Sequence, residues 1–400
     1  MKTLLSPTLR LILTAFLLSV ITLNAFSADD PDELLNLYLE TGLKEFADQI
    51  RIGFPESPQA KFCDAWEYLD ANNQKARDLS EAMVLDHPDY APGYFMLGTV
   101  KTTGFKEYSE AISNFNQSID ILPDFMLSYQ YRGIAKIGLG DFEGAKEDFE
   151  KVQKMKRGYG MGFLLRGIAN HGLGDNEDMA ADFEIGLQLD YMALSKIPGD
   201  MADDAINQAI EAAPENAIYF FARGYAYFMR GNYRLASQDF SKCIELVPGS
   251  SDFYKYSGAS KMQFDDYEGG QKDLNFALSV NPDDPETYYY LGVLMNDHIK
   301  QPAMAREYLN NAIELDDYHA RYFYERSKAA YKMLDYNEAL EDINTAIQLD
   351  HRKGDFYALR GNIKINLGDK KDVYCPDFRK AIEWGTSYNL KRVMKKFCSK

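Results

Sequence analysis

Residues that carry chemistry are scarce in this chain of 400 amino acids. It contains four cysteines, five histidines and two tryptophans. Because no CxxC pair is present, the sequence signals neither a thioredoxin-like redox site nor a zinc site. The HExxH and GxSxG motifs and a glycine-rich phosphate loop are absent, and the acidic runs lack the EF-hand spacing. We therefore assign no catalytic, cofactor or metal residues, and the sequence does not predict an enzyme.

Positive charge is also in short supply. Lysine and arginine number 44 against 61 aspartates and glutamates, which gives a net charge of −17. Such an acidic surface repels phosphate backbones, so we do not expect the chain to bind nucleic acid. The one basic cluster is interpreted as stabilising the end of a C-terminal helix. It consists of Lys391, Arg392, Lys395, Lys396 and Lys400.

One long apolar run, Leu11 to Leu23, lies near the N-terminus. Lys2 and Arg10 precede it, and Ala25-Phe26-Ser27 follows it as a cleavage site for a secretory signal peptide. We expect cleavage before Ala28, no membrane span in the remaining chain, and a periplasmic or secreted location. An uncleaved anchor is the alternative, although the run is short for a membrane span.

What the chain has in abundance is a repeated pattern of small and aromatic residues. Between Tyr131 and Val152, two amphipathic segments flank the turn Leu139-Gly140-Asp141. The small residue in the first segment recurs at intervals that are mostly 34 or 35 residues. These positions are Gly98, Gly133, Gly167, Gly224, Gly258, Gly292, Ser327 and Gly361. A large apolar residue recurs in the second segment, at Phe115, Phe149, Phe183, Phe240, Leu274, Leu309 and Ile343.

A helix-turn-helix unit of this period resembles the tetratricopeptide repeat. The resemblance, which extends to exported bacterial members of the family, implies an all-α fold. We expect a right-handed α-solenoid of about eight to nine repeats, with one truncated repeat and capping helices at both ends.

The pattern divides the chain into six segments. Phe183 and Ile206 are separated by 23 residues where 34 are expected, which leaves too little room for a complete first helix. Pro376 is expected in the first turn of a late-starting helix. The predicted segments are a signal peptide (1–27), an N-terminal capping helix (28–57), N-terminal repeats (58–192), a truncated repeat (193–215), C-terminal repeats (216–385) and a C-terminal capping helix (386–400).

The four cysteines fall into two classes. Cys63 and Cys243 occupy small-residue positions of the repeat, so we expect them to be buried. Cys375 and Cys398 lie outside the repeat register, in a closing segment, CPDFRKAIEWG to KKFC, that is similar to the end of exported members of the family. In an oxidising compartment this pair is a candidate disulfide.

In this family the first helices of the repeats line a concave groove. Three positions of each first helix fall on one stripe, and we expect that stripe to bind a partner. The alternative is that these side chains bury against one another. The Lys/Asn pattern with which chaperone-binding members hold a terminal carboxylate is not reproduced. The predicted groove residues are Ile134, Ile137, Leu164, Ile168, Phe221, Tyr225, Phe228, Tyr289, Tyr324, Lys328 and Tyr331.

The resemblance implies a non-catalytic exported scaffold or adaptor that holds a partner protein or peptide segment in its groove. The alternative is a structural component of an envelope assembly, which uses its convex face or its caps for permanent oligomerisation. The sequence predicts no cofactor, and it leaves the oligomeric state open.

Overall fold

The computed structural model of this chain describes residues 30–42, 44–69, 71–386 and 389–398. The described residues form helices and no strands, and 21 of the α-helices have nine or more residues. The predicted signal peptide lies outside them, as does Ala28. Within them, no helix is both long enough and apolar enough to span a membrane. Two compact units, divided between Arg157 and Gly158, are each built of stacked helix pairs. The predicted all-α class is confirmed.

The described part of unit 1 contains eight α-helices, and its core includes Phe62, Phe95 and Phe115. The single N-terminal capping helix that we predicted is wrong: Gly42, with φ of 70°, ends one helix, and a second begins at Lys44. The helices are α1 (Pro31–Thr41), α2 (Lys44–Gly53), α3 (Pro58–Tyr68), α4 (Asn73–Asp86), α5 (Ala91–Val100), α6 (Tyr108–Ile121), α7 (Met126–Leu139) and α8 (Phe142–Met155).

Unit 2 begins with the pair α9 (Gly160–Leu173) and α10 (Asn176–Leu189). A short 3₁₀ turn, Ala193–Lys196, and α11 (Gly199–Ala212) then occupy the segment predicted as a truncated repeat. Five further pairs follow: α12 (Ala217–Met229) and α13 (Tyr233–Leu246), α14 (Ser251–Lys261) and α15 (Tyr267–Val280), α16 (Pro285–Val293) and α17 (Pro302–Leu315), α18 (Ala320–Lys332) and α19 (Tyr336–Leu349), and α20 (Gly354–Asn366) and α21 (Lys371–Glu383).

The C-terminal end of unit 2 differs from the prediction in one respect. Because α21 begins at Lys371, Pro376 lies inside the helix and not in its first turn. A proline there supplies no backbone N–H to the helical ladder. Beyond α21, helical structure resumes at Lys391–Val393 and continues as a π-helical turn, Met394–Cys398.

The repeated small residues mark the closest approach of the two helices in a pair. A Cβ atom added at Gly133 would lie 2.5 Å from Cε1 of Phe149, and one added at Gly361 would lie 2.7 Å from Cε1 of Phe378. Both phenylalanines are fully buried. The small residue and the large apolar residue that faces it therefore act as one packing unit, which explains why they recur together.

Two repeats absorb an extra residue inside the first helix. Gly98 and Gly133, like Gly292 and Ser327, are separated by 35 residues. In each of these repeats the first helix ends in a π-helical turn, Lys101–Phe105 after α5 and Leu294–Ile299 after α16. A π-helical turn accommodates one residue more than an α-helical turn. The second helix of each repeat is thereby kept in register.

An ion-pair ladder that we did not predict joins the two helices of most repeats. The residue before the small residue is an arginine, and it donates to an aspartate of the second helix with N–O distances of 2.5–2.7 Å. The pairs are Arg132–Asp148 in unit 1, and Arg166–Asp182, Arg223–Asp239, Arg326–Asp342 and Arg360–Asp377 in unit 2. In unit 2, Asn207, Asn310 and Asn344 of the preceding second helices accept from three of these arginines.

Candidate interaction surface

The predicted groove residues divide into buried and half-buried side chains. Leu164, Ile168 and Phe221 are buried, and Ile137 is almost so. In this conformation these four are core residues, so their prediction as exposed partner-binding residues is wrong. The others are half-buried: Ile134 in unit 1, and Tyr225, Phe228, Tyr289, Tyr324, Lys328 and Tyr331 in unit 2.

Phe221 is the centre of an aromatic core and not a surface anchor. Its ring centroid lies 5.0 Å from those of Tyr191 and Phe253, and 5.8 Å from that of Phe240. Tyr191 belongs to the loop that follows α10, in the segment that lacks a complete first helix. The shortened repeat therefore covers Phe221 with a ring from the loop.

The half-buried tyrosines belong to a continuous set of contacts across the first helices of five consecutive repeats. Tyr225 of α12 lies edge-on to Tyr256 of α14, with ring centroids 5.1 Å apart. Tyr256 Oη donates to Glu286 of α16 at 3.1 Å, and Arg321 Nη2 of α18 donates to the same carboxylate at 2.9 Å. Tyr324 of α18 meets the Phe356 ring of α20 at 4.8 Å. We call this set the first-helix face.

Glu286 is held by donors from the two neighbouring first helices. Besides Tyr256 and Arg321, Lys255 Nζ of α14 lies 3.3 Å from Oε2. Burial alone would raise the pKa of this carboxyl, but the charges of Lys255 and Arg321, together with the hydrogen bonds from Arg321 and Tyr256, hold the pKa below its usual value. Burial likewise opposes the charge of Lys255, yet Asp252, Asp284 and Glu286 raise its pKa above the ordinary range. Both groups are therefore ionised at neutral pH, and they link α14, α16 and α18.

A second network links α18 to the π-helical turn after α16. Lys328 Nζ lies 2.7 Å from Asp297 Oδ2 and 2.8 Å from Glu325 Oε2, and Lys332 Nζ lies 2.8 Å from Asp297 Oδ1. Burial raises the pKa of Glu325, and Lys328 only partly offsets the increase. The predicted groove lysine, Lys328, is thus occupied by carboxylates of its own chain.

Aromatic rings lie over these charged groups. The guanidinium of Arg321 lies 4.8 Å from the ring centroid of Tyr289 and 5.4 Å from that of Tyr322. Lys328 Nζ lies 5.5 Å from the ring of Tyr324. Because the cations are already paired with carboxylates and stacked on rings, the surface offers aromatic contact area on a rigid base and few charges without a partner.

Glu286 and Arg321 were missed in the sequence. A usable signal was present, because each is the second residue of its first helix and the two helices are neighbours in the stack. Opposite charges at the same position of consecutive repeats indicate a contact between those repeats.

The cysteines lie as the repeat pattern indicates. Cys63 and Cys243 are buried within their helix pairs. Cys375 of α21 and Cys398 of the C-terminal turn are at disulfide-bond distance. Tyr374 Oη donates to the carbonyl of Phe397, and Leu390 and Phe397 pack on the same apolar cluster. The bond therefore ties the last described segment to the final helix pair.

Comparison with known proteins bears on the repeats themselves. Models of the Tetratricopeptide repeat family match residues 128–159, which cover α8 and most of α7, and residues 200–251, which run from α11 to the start of α14. The chain contains tetratricopeptide repeats. Neither match is to a family of enzymes.

Other similarities cover less of the chain or are more remote. Protein SGT1 homolog from Oryza sativa subsp. japonica is 32% identical over 80 residues, which are 20% of this chain and 22% of that protein. The crystal structure of the APC/C hetero-tetramer Cut9-Hcn1 superposes with a TM-score of 0.47 and 11% identity, over 94% of this chain and 98% of that one. The crystal structure of yeast Tom70 superposes with a TM-score of 0.44 and 13% identity, over 92% of this chain and 94% of that one. Likeness of this degree carries no argument about function.

Proposed function

We propose that this chain is an exported, non-catalytic scaffold that holds a segment of a partner protein on the first-helix face of unit 2. The observation that carries the proposal is the set of half-buried tyrosines on the first helices α12, α16 and α18, namely Tyr225, Tyr289, Tyr324 and Tyr331. Tyrosine is enriched where proteins bind one another, because its ring is large and rigid and its hydroxyl can donate.

The ionic networks beneath the tyrosines favour binding without rearrangement. Glu286 joins α14, α16 and α18, and Asp297 joins the π-helical turn to α18. A surface whose helices are fixed in advance loses less conformational entropy when a partner binds. The same networks use up the local charges, so we expect apolar and hydrogen-bonding contacts to dominate recognition.

The binding test requires the partner first. Affinity purification from the native host identifies a stoichiometric partner, and calorimetry then measures its affinity for purified variants. Tyr289→Ala with Tyr324→Ala should weaken binding by about 2 kcal/mol or more. Tyr318→Ala is the control, because Tyr318 is exposed in the loop between α17 and α18. Unchanged affinity in the double variant, with the fold intact by circular dichroism, would contradict the proposal.

Export is tested separately. N-terminal sequencing of the protein from its native host should find Ala28 at or near the start, in a fraction outside the cytoplasm. An intact Met1 on cytoplasmic protein would refute export while leaving the binding proposal open to its own test.

A further inference from the structure

The arginine ladder of unit 2 is interrupted in two adjacent repeats. In the other complete repeats an aromatic residue three positions before the arginine stacks under it, with centroid distances of 5.4–5.7 Å for Phe163, Phe220, Phe323 and Tyr357. In the pairs α14/α15 and α16/α17 the arginine is replaced by Ser257 and Leu291. The aromatic residues remain, as Tyr254 and Tyr288.

Rings from the second helices take up these contacts. The ring centroid of Tyr254 lies 4.1 Å from that of Phe276 of α15. The ring centroid of Tyr288 lies 6.5 Å from that of Tyr308 of α17. Tyr308 stands where the ladder aspartate would be in its repeat. In α14/α15 the buried Asp273 remains and is paired with Lys261 at 2.6 Å, so the aromatic pair is added beside an ion pair. In α16/α17 the aromatic pair replaces the ion pair.

Exposed apolar residues extend this region along both second helices. On α15, Phe276 and Val280 are 40% and 45% exposed and lie one turn apart. On α17, Met304 and Leu315 are 40% and 42% exposed and share a helical face with Tyr308. We call Phe276, Val280, Met304, Tyr308 and Leu315 the outer stripe. Apolar side chains exposed on the second helices of two consecutive repeats are of the kind that marks an interaction site.

We propose that the outer stripe is the interface through which two copies of this chain associate. A chain of net charge −17 repels its own copies wherever its charged surface faces them. The stripe is a surface on which apolar and aromatic groups can meet with little such repulsion. Aromatic residues are enriched, and charged ones depleted, at the core of interfaces, and homodimer interfaces are the more apolar.

The charged residues beside the stripe in one copy have opposite charges to pair with in a second copy. Lys272 of α15 lies one turn before Phe276, and Glu307 of α17 adjoins Tyr308; both are exposed. Neither makes an ion pair within the part of the chain that the structure describes. A two-fold dimer that lays α15 of one copy on α17 of the other brings Lys272 to Glu307 twice, because each contact of a two-fold interface occurs in duplicate.

This interface is independent of the proposed partner site. The outer stripe belongs to the second helices α15 and α17, whereas the first-helix face belongs to α12, α14, α16, α18 and α20. Self-association can therefore fail while partner binding persists, and the reverse is equally possible.

The experiment measures the mass of the purified full chain by sedimentation equilibrium across a concentration series. We expect a reversible dimer, and Val280→Asp with Met304→Asp should raise its dissociation constant by at least ~10-fold. The matched control is Leu189→Asp with Ile382→Asp, which adds the same charge to exposed apolar positions of α10 and α21. It should dimerise like the wild type. Circular dichroism confirms that each variant is folded.

A charge exchange tests the two-fold arrangement. Lys272→Glu should weaken the dimer, and Lys272→Glu with Glu307→Lys should restore it. A wild-type chain that is monomeric at every concentration would overturn the proposal. So would a folded Val280→Asp, Met304→Asp variant that dimerises like the wild type, a control that dissociates as readily, or an exchange that restores nothing.

Discussion

Replacing Arg223 alone should destabilise unit 2 more than replacing Arg223 and Asp239 together. Asp239 is 5% exposed, and Arg223 donates to both of its oxygens, at 2.6 and 2.9 Å. Arg223→Leu leaves a buried carboxylate without its cation, a change that typically costs 3–5 kcal/mol. Because the Arg223 side chain is itself 20% exposed, we expect the lower end of that range, about 3 kcal/mol.

The chain itself supplies the apolar alternative. At the equivalent positions of the α16/α17 repeat stand Leu291 and Tyr308. Arg223→Leu with Asp239→Tyr copies that pair and removes the buried charge, so it should recover most of the loss. Urea unfolding followed by circular dichroism gives the three free energies, and hydrogen exchange of α12 and α13 shows whether the loss is local, as is usual in repeat proteins.

The pH dependence provides an independent check. Burial raises the pKa of Asp239 above its usual value, and Arg223 holds that increase back. Without Arg223 the pKa rises further, so the folded variant takes up a proton at a higher pH than the unfolded chain does. The penalty of Arg223→Leu should be largest at neutral pH, where Asp239 is charged, and should shrink as the pH falls toward 4. A penalty below about 1 kcal/mol, or one that grows in acid, would refute this reasoning.

Three further predictions concern other parts of unit 2. Phe221→Ala should lower the unfolding free energy by about 3–5 kcal/mol. Phe228 is half-buried, so Phe228→Ala should lower it less, and an equal decrease in both variants would contradict this reasoning. Cys398→Ser opens a disulfide of sequence separation 23 and should cost about 3 kcal/mol in non-reducing melts; reductant should abolish the difference from wild type, and identical oxidised melts would count against the bond. Leu334 has a φ of 67° and is 68% exposed, so Leu334→Gly should raise the unfolding free energy by about 1 kcal/mol. The control is Leu367→Gly, at a position of negative φ, which should not raise it.

The helix pairs could be predicted because their landmarks follow from steric necessity. No side chain fits at Gly133 opposite Phe149, so a small residue recurs with a large apolar one wherever two helices cross this closely. The disulfide candidates were visible for the complementary reason, because Cys375 and Cys398 have no place in the repeat register. Both signals are local and depend little on how one repeat meets the next.

The arginine–aspartate ladder and the burial of the predicted groove residues depend on contacts between helices, which helical periodicity alone does not predict. Arg223 and Asp239 are 16 residues apart, on different helices. Leu164 packs against the second helix of its own repeat, where a Cβ at Gly186 would lie 2.8 Å from it. Phe221 is covered by Tyr191, from a loop whose course no repeat pattern predicts. Stripe positions alone therefore did not separate core residues from surface residues.

The π-helical turns after α5 and α16 bear on how a repeat protein tolerates changes of length. An inserted residue in a stacked array would ordinarily rotate every later element of its repeat by about 100°, since an α-helix has 3.6 residues per turn. Here the surplus is confined to one widened turn, which ends at Lys106 or Lys300 in the left-handed conformation, and the following helix starts in phase. The first helix thus takes up the extra residue within its own repeat, and the phase of the later helices is unchanged.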